Sequence, residues 1–352
     1  MIRNQLKEKL EEQRKVYEAL KAGDAGLVCY KEFQNGEWGT DDANYTNRLR
    51  LAYYLLYDQI DDENIVEYLF REELKDRENN SFQGIGSTLC ILTWLLRKYN
   101  QDHKYDSLFE QAKNANFDCA CGYDPEDTVE EAFDRNDLLD CIYLCRELEY
   151  KDVMGLLVEA WKKETEDGAG WNHSNRRMLI EFQACLGREG ENEKLYLEQL
   201  QETLEADSGK ARDIIAGYRD LIRHYLDVGD YGEGARYCRL VLETMDCGEI
   251  RGIRLFDDIL EECCEVIAQV SGACMKNHSR HLSESNSETC SGENDGLWKR
   301  IKAELKSKSR SAWYGNLYSK AIAAGKAMND PYAQVLEREY LEWRKDRGIV
   351  TE

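Results

Sequence analysis

Apolar residues recur at three- and four-residue intervals along most of the chain, the period of a helix with one buried face. Ile2, Leu6, Leu10, Tyr17 and Leu20 predict a helix over 2–22, and Tyr45, Leu49, Ala52, Tyr53 and Leu56 line the next. Ile65, Val66, Leu69, Phe70 and Leu74 supply its partner. Residues 85–99 are apolar almost all round, as expected of a helix enclosed by neighbours. The pattern continues through Leu138–Cys145, Val153–Trp161, Met178–Leu186 and Leu195–Leu204, then over 211–228, 231–246 and 250–270. Three further helices are predicted at Leu297–Lys308, Ser311–Met328 and Pro331–Arg347. No segment shows the sustained two-residue alternation of a strand. The glycine- and asparagine-rich stretch 23–43 reads as an irregular loop, and the serine-rich stretch Ser271–Gly296 as a polar loop or linker. The expected class is all-α, with antiparallel helices joined by short loops. The expected divisions are an N-terminal helical region over 1–120, helical hairpins over 124–270, the polar stretch 271–296, and C-terminal basic helices over 297–352 packing on the array.

Composition supports helices over turns. The 352 residues include only two prolines, Pro125 and Pro331, each directly after an aspartate. Asp-Pro is a helix start, with the acid as cap and proline at the first helical position. No run approaches the ~20 apolar residues of a membrane helix, and Met1–Leu20 carries charges throughout instead of the apolar core of a signal peptide. Thirteen cysteines without such a signal fit a reducing compartment, so the expected location is cytoplasmic. Cys90, Cys141, Cys145, Cys185 and Cys238 sit on apolar faces and are expected to act as small hydrophobes.

Charge narrows the partners. With 47 basic and 69 acidic residues the net charge is −22, which disfavours nucleic acid. The balance is uneven. Asn116–Asp140 holds nine acids, among them Glu126, Asp127, Glu130 and Glu131, against Arg135 alone. Those four are candidate contacts for a basic partner. From Leu297 onward the net charge is +5, and the basic side of that first helix either faces water or docks on acids of the same chain.

The window Tyr218–Leu242, YRDLIRHYLDVGDYGEGARYCRLVL, resembles the tetratricopeptide repeat. Tyr218, Leu221 and Tyr225 take the places of the family's large residues, and Gly229-Asp230-Tyr231 that of its turn. Gly234 and Val241 stand where the family prefers alanine, and Cys238 where it prefers an aromatic. The match covers one repeat, with looser neighbours on either side. The resemblance implies a right-handed α-solenoid of divergent repeats whose concave face binds peptides or proteins. It would place Ala216, Arg219, Arg223 and Asp227 on that face, with the two arginines able to clamp a carboxylate or to pair with the chain's own acids.

Candidate chemistry is sparse. Cys274, His278, His281 and Cys290 offer zinc-type ligands, at a spacing that matches no zinc knuckle. Gly84-Ile85-Gly86-Ser87-Thr88 precedes a helix but lacks the lysine of a phosphate-binding loop, which leaves Ser87 to start the helix. Asp61-Asp62 with Glu67, and Asn329-Asp330 with Glu337, look faintly like the magnesium motifs of helical terpene synthases, although capping accounts for Asp330. Five scattered histidines give no evident base. Trp38 and Trp171 lie in loops that would bind sugar in a helical carbohydrate enzyme and otherwise cover the core.

The expectation is therefore a non-enzymatic protein-interaction module, with no catalytic residues, metal or cofactor. It would bind a partner protein or peptide, a basic one being favoured by charge, and neither nucleic acid nor membrane. The alternatives are an immunity or inhibitor protein against a basic toxin, and a hydrolase or lyase on an α/α scaffold.

Overall fold

The computed structural model describes residues 2–36, 39–81, 84–127, 137–168, 170–206, 210–246, 254–278 and 285–349, with side chains for all of these except 2–4 and 272–293. It is mostly helical and divides into two compact units, Met1–Trp171 and Asn172–Glu352. The division falls well beyond the boundary at 120–124 drawn from the sequence. Among the described residues no helix is long and apolar enough to cross a membrane.

The first unit contains α1 (Ile2–Glu11), α2 (Arg14–Lys21), β1 (Glu32–Gln34), β2 (Thr40–Asp42), α3 (Tyr45–Tyr57), α4 (Glu63–Asn79), α5 (Ser87–Arg97), α6 (Asp106–Lys113), α7 (Phe117–Gly122), α8 (Leu138–Glu147) and α9 (Lys151–Asp167). Helices α3, α4 and α5 pack on one another through Leu49, Leu55, Leu69, Phe70, Leu89 and Leu92. The α8–α9 turn is tied to α3 by Arg50, whose Nε donates to the Leu148 carbonyl at 2.8 Å while its guanidinium lies over the Tyr150 ring. Asp62 caps α4 by accepting from the Ile65 amide, so that part of the Asp61-Asp62 pair has a structural task.

Two sequence expectations are corrected here. The helix over 2–22 is broken near residues 12–13. The stretch 23–43 is no plain loop: β1 and β2 form a short antiparallel ladder pairing Glu32 with Asp42, Phe33 with Asp41 and Gln34 with Thr40. It carries no alternation because β1 is exposed along its whole length, so neither face of it needs apolar residues.

Buried charge anchors this segment. The Arg48 side chain of α3 is 0% exposed. It reaches Asp42 at 2.7 Å, Glu73 at 2.8 Å and Asp76 at 3.6 Å, and donates to the Val28 carbonyl at 3.3 Å. Arg77 adds a second guanidinium to Glu73, at 3.2 Å, and to Asp76. Asp42 also accepts from the amides of Lys31 and Asn44, and Glu72 from that of Tyr30. Three carboxylates thus face two guanidiniums. Burial pushes the Glu73 carboxyl up to about 7, against the pull of both arginines.

The second unit contains α10 (His173–Cys185), α11 (Glu193–Glu205), α12 (Ala211–Val228), α13 (Tyr231–Asp246), α14 (Arg254–His278), α15 (Ser285–Ser307), α16 (Gly315–Ala327) and α17 (Tyr332–Asp346). From α11 to α14 each helix packs on the next; α16 then packs on α14 and on α17. The window Tyr218–Leu242 forms a hairpin, with Gly229 left-handed at the end of α12 and the Tyr225 and Tyr237 rings stacked 5.6 Å apart. Leu221, Tyr225, Cys238 and Val241 are all buried in it.

The stretch 271–296 is corrected as well: Ser271–His278 extends α14 and Ser285–Gly296 opens α15. Serine and glycine lower helix propensity without forbidding a helix, and no proline interrupts the stretch. The basic run after it is docked on acids of the same unit. Lys308 pairs with Asp257, Arg300 with Asp246, and Arg310 with Glu339 at 2.9 Å.

Three outcomes test these packing arguments. Leu221→Asp should lower the melting temperature sharply, costing at least the ~2–5 kcal/mol of a buried Leu→Ala change, because a charge replaces a fully buried side chain. Arg48→Met should cost ~3–5 kcal/mol by urea unfolding, since it leaves buried carboxylates without their partner. The raised Glu73 carboxyl stabilises the fold fully below its unfolded pKa of ~4.3, and this contribution is lost as pH rises through about 7. Glu73→Gln should therefore gain stability relative to wild type between pH ~5 and ~8.

Candidate partner-binding cleft

Helix α12 has two working faces. One carries Ile215, Leu221, Ile222 and Tyr225 into the core of the second unit. The other fronts two adjoining hollows of about 390 and 470 Å³, walled opposite by α10 and α11. The hollows share Arg177, Tyr196, Gln199 and Asp220, so they form one cleft along the helix. Gly217 lets the walls approach, since a Cβ there would meet Leu200 Cδ1 at 3.0 Å.

Three aspartates mark this face at seven-residue intervals. Asp213 lines one hollow, Asp220 both, and Asp227 the other. Seven residues are close to two helical turns, which returns each carboxylate to the same side about 10.5 Å further along. None of the three makes an ion pair or a side-chain hydrogen bond among the described residues. The helices around Asp220 raise its carboxyl by desolvation, while Arg177, Arg219 and Arg223 oppose the shift. Tyr196 borders both hollows, half-buried, its hydroxyl also raised by desolvation and by Asp220 and Asp227. Gln199 is 8% exposed, and its Nε2 donates to the His173 carbonyl at 3.4 Å. His224 packs beneath Tyr196 with ring centroids 5.5 Å apart, and burial lowers its pKa.

The structure separates the residues that the repeat resemblance placed on one face. Ala216, Arg223 and Asp227 line the cleft. Arg219 turns to α14, where it pairs with Glu262 at 2.9 Å and Asp258 at 3.3 Å. Its side chain is 24% exposed, against 60% for Arg223, which reaches Glu262 only at 3.8 Å. The two arginines therefore form no clamp on a common outside ligand. Burial pushes Glu262 up to about 7, with Arg219 pulling it down. Asp213, Asp220, Tyr196 and Gln199 were not singled out from sequence; the heptad spacing of the aspartates was the available signal.

In the first unit, Glu126 is exposed and pairs with Arg97 at 2.6 Å, and Asp127 is exposed beside it. Glu130 and Glu131 lie outside the described residues, as do Trp38, His281 and the side chains of Cys274, His278 and Cys290. Asp127 also lines a cavity of about 590 Å³ with Tyr53, Ser87, Cys90, Tyr123 and Asp124. Cys90 is exposed there, contrary to the buried role expected of it, and its thiol is raised chiefly by desolvation. Ser87 opens α5 without capping it: the preceding residue is Gly86, held at a φ of 76°. No cluster of potential metal ligands occurs among the described residues.

No family model, curated protein or solved structure matches the chain.

The two arginines should answer differently to truncation. Arg219→Ala leaves Glu262 poorly paired and should cost ~1–3 kcal/mol in urea unfolding. Arg223→Ala, at an exposed site, should stay within ~0.5 kcal/mol.

Proposed function

We propose that the chain is a non-enzymatic interaction protein that captures a segment of a partner protein along α12, on a scaffold of divergent tetratricopeptide-like hairpins. The reading rests on one observation: the cleft face of α12 holds three aspartates without ion-pair partners, whereas the arginine beside them is consumed by α14. Charged side chains already paired at short range have little to offer a ligand; unpaired ones in a concave site do. The acids outnumber the basic groups that line the cleft, and the net charge of −22 has the same sign. Both features favour a basic partner and fast, salt-sensitive association. An inhibitor of a basic toxin would use the same face and differ only in what its partner does. A hydrolase or lyase would instead work from the cavity beside Cys90 and Asp124.

The test uses the tagged full chain and a variant in which Asp213, Asp220 and Asp227 are all asparagine, each exposed to extract of the native cells at two salt concentrations. The expected result is a stoichiometric basic protein, held by wild type at low salt, released at high salt and absent from the variant. A partner retained equally by the variant would overturn the assignment of binding to this cleft.

A further inference from the structure

Buried charge in the first unit does not balance. The carboxylates of Asp42, Glu73 and Asp76 have wholly buried side chains, and among the described residues the cations that reach them are Arg48 and Arg77 alone. Fully ionised, the five groups carry one negative charge too many. A surplus charge held away from water is costly enough that a buried carboxyl takes up a proton instead.

Hydrogen bonding selects the carboxyl that does so. Asp42 Oδ1 accepts from the amides of Lys31 and Asn44, at 2.9 and 3.0 Å. Asp76 accepts from Asn80 Nδ2 at 3.0 Å and from Arg77. Glu73 Oε2 accepts from Arg48 Nε at 2.9 Å, but its Oε1 is buried without a hydrogen bond among the described residues. Bonds to a carboxylate favour its charged form, so Glu73, with the fewest, is the member left to carry the proton. The upward shift of its carboxyl to about 7 agrees.

The other titratable groups around it hold their state near neutral pH. Tyr45 on α3 and Tyr30 ahead of β1 are pushed up to about 12 by burial, and desolvation raises the thiols of Cys90 on α5 and Cys119 on α7. Glu72 is spent on the Tyr30 amide and Lys75, and Asp41 on Asn80.

When the proton leaves, the surplus charge acts on the least anchored carboxylate. Glu73 and Asp76 belong to α4, whose Leu69, Phe70 and Leu74 are in the core. Asp42 belongs to β2, paired only with a strand exposed along its whole length. The amide bonds of this segment to α4 do not titrate and set a baseline; the proton sets the change. We propose that the segment bearing β1 and β2 is docked by a proton: the buried cluster closes with one proton among its three carboxylates, and loss of that proton as pH rises releases Asp42 and the ladder from α3 and α4.

Hydrogen–deuterium exchange of the full chain, read by mass spectrometry and corrected for the intrinsic pH dependence of amide exchange, tests this. Docked, Glu73 titrates at about 7; released into water it returns to about 4.3. Docking is therefore strongest below that lower value and weakens until pH has passed the higher one. Protection of Tyr30–Gln34 and Thr40–Asn44 should fall at least about tenfold between pH ~5 and ~8 and level off above about 7, while Ile65–Leu74 and Leu89–Leu95 keep theirs. Glu73→Gln should keep the ladder protected over the whole range. Asp42→Asn leaves two carboxylates against two guanidiniums and should also show no step, at whatever level its protection begins. Circular dichroism at each pH checks that the helices persist. Unchanged protection of the wild-type ladder across the range would overturn the proposal. So would a step that survives Glu73→Gln, which would assign the titration to another group, and so would an equal loss in α4 and α5, which would make the event an unfolding of the unit instead of the release of one segment.

Discussion

Arg48 is the constraint on which the first unit depends. A guanidinium wholly removed from water is tolerable only when surrounding acceptors replace its hydration, and here they come from three separate parts of the chain: Val28, Asp42, and the Glu73–Asp76 turn of α4. Among the described residues between α2 and α3, Leu27 and Phe33 are exposed and Val28 is the one large apolar side chain deeply buried. The segment's place against α3 and α4 is therefore set by charge and amide hydrogen bonds, with Asn44 closing the turn on the carbonyls of Gly26 and Cys29. Direction matters in such an anchor. Apolar packing would accept neighbouring registers, whereas a guanidinium fixes where each acceptor must stand.

The second unit solves a different problem. Its apolar interior runs from Leu200 to Leu336, and α12 contributes to it without losing its opposite face. Segregation of roles along one helix is sharp. Arg219 and Arg223 lie one turn apart, yet the first belongs to the packing of α14 and the second to the cleft. A rotation of about 40° around the axis, the difference between four residues and one full turn, separates a structural cation from an accessible one. The basic C-terminal helices repeat the structural use of charge. Their lysines and arginines neutralise acids of α13, α14 and α17 and add lateral ties to an interior already formed by aliphatic and aromatic side chains.

Legibility in the sequence follows the kind of interaction. Helices whose partners are apolar announce themselves by period: α3, α4, α5, α12 and α13 lie where the spacing of leucines, isoleucines and aromatics puts them. Segments held by polar groups do not. Glu73, Asp76 and Arg77 are residue types common on solvated faces, and only the fold brings Arg48 and Asp42 among them. The β1–β2 ladder is invisible for the same reason: β1 is exposed throughout, and the buried position of β2 is an aspartate. The serine-rich region has the composition of a turn, but no proline enforces one, and helix continues into it from both sides. At the cleft, Ala216, Arg223 and Asp227 were recoverable from the hairpin register, but Arg219 was not separable from Arg223 without knowing that Glu262 would lie across from it. Tyr196 and Gln199 come from the neighbouring hairpin, and no local pattern in α12 points to them.

Because α12 is at once a core helix and the floor of the cleft, occupancy and folding are coupled through it. In the opposite wall of the cleft, α11 packs on it around Leu200 and Gly217 and through the bond between Glu193 and Tyr225. A segment lying across Tyr196, Gln199 and the aspartates would act as a cross-brace between α11 and α12, bound only when both walls are in place. Mass action then draws the unfolded population toward the folded one by an amount set by ligand concentration relative to affinity. The free protein and the loaded protein would thus differ in endurance as well as in partner, with the second unit more resistant to heat and proteolysis while the cleft is filled.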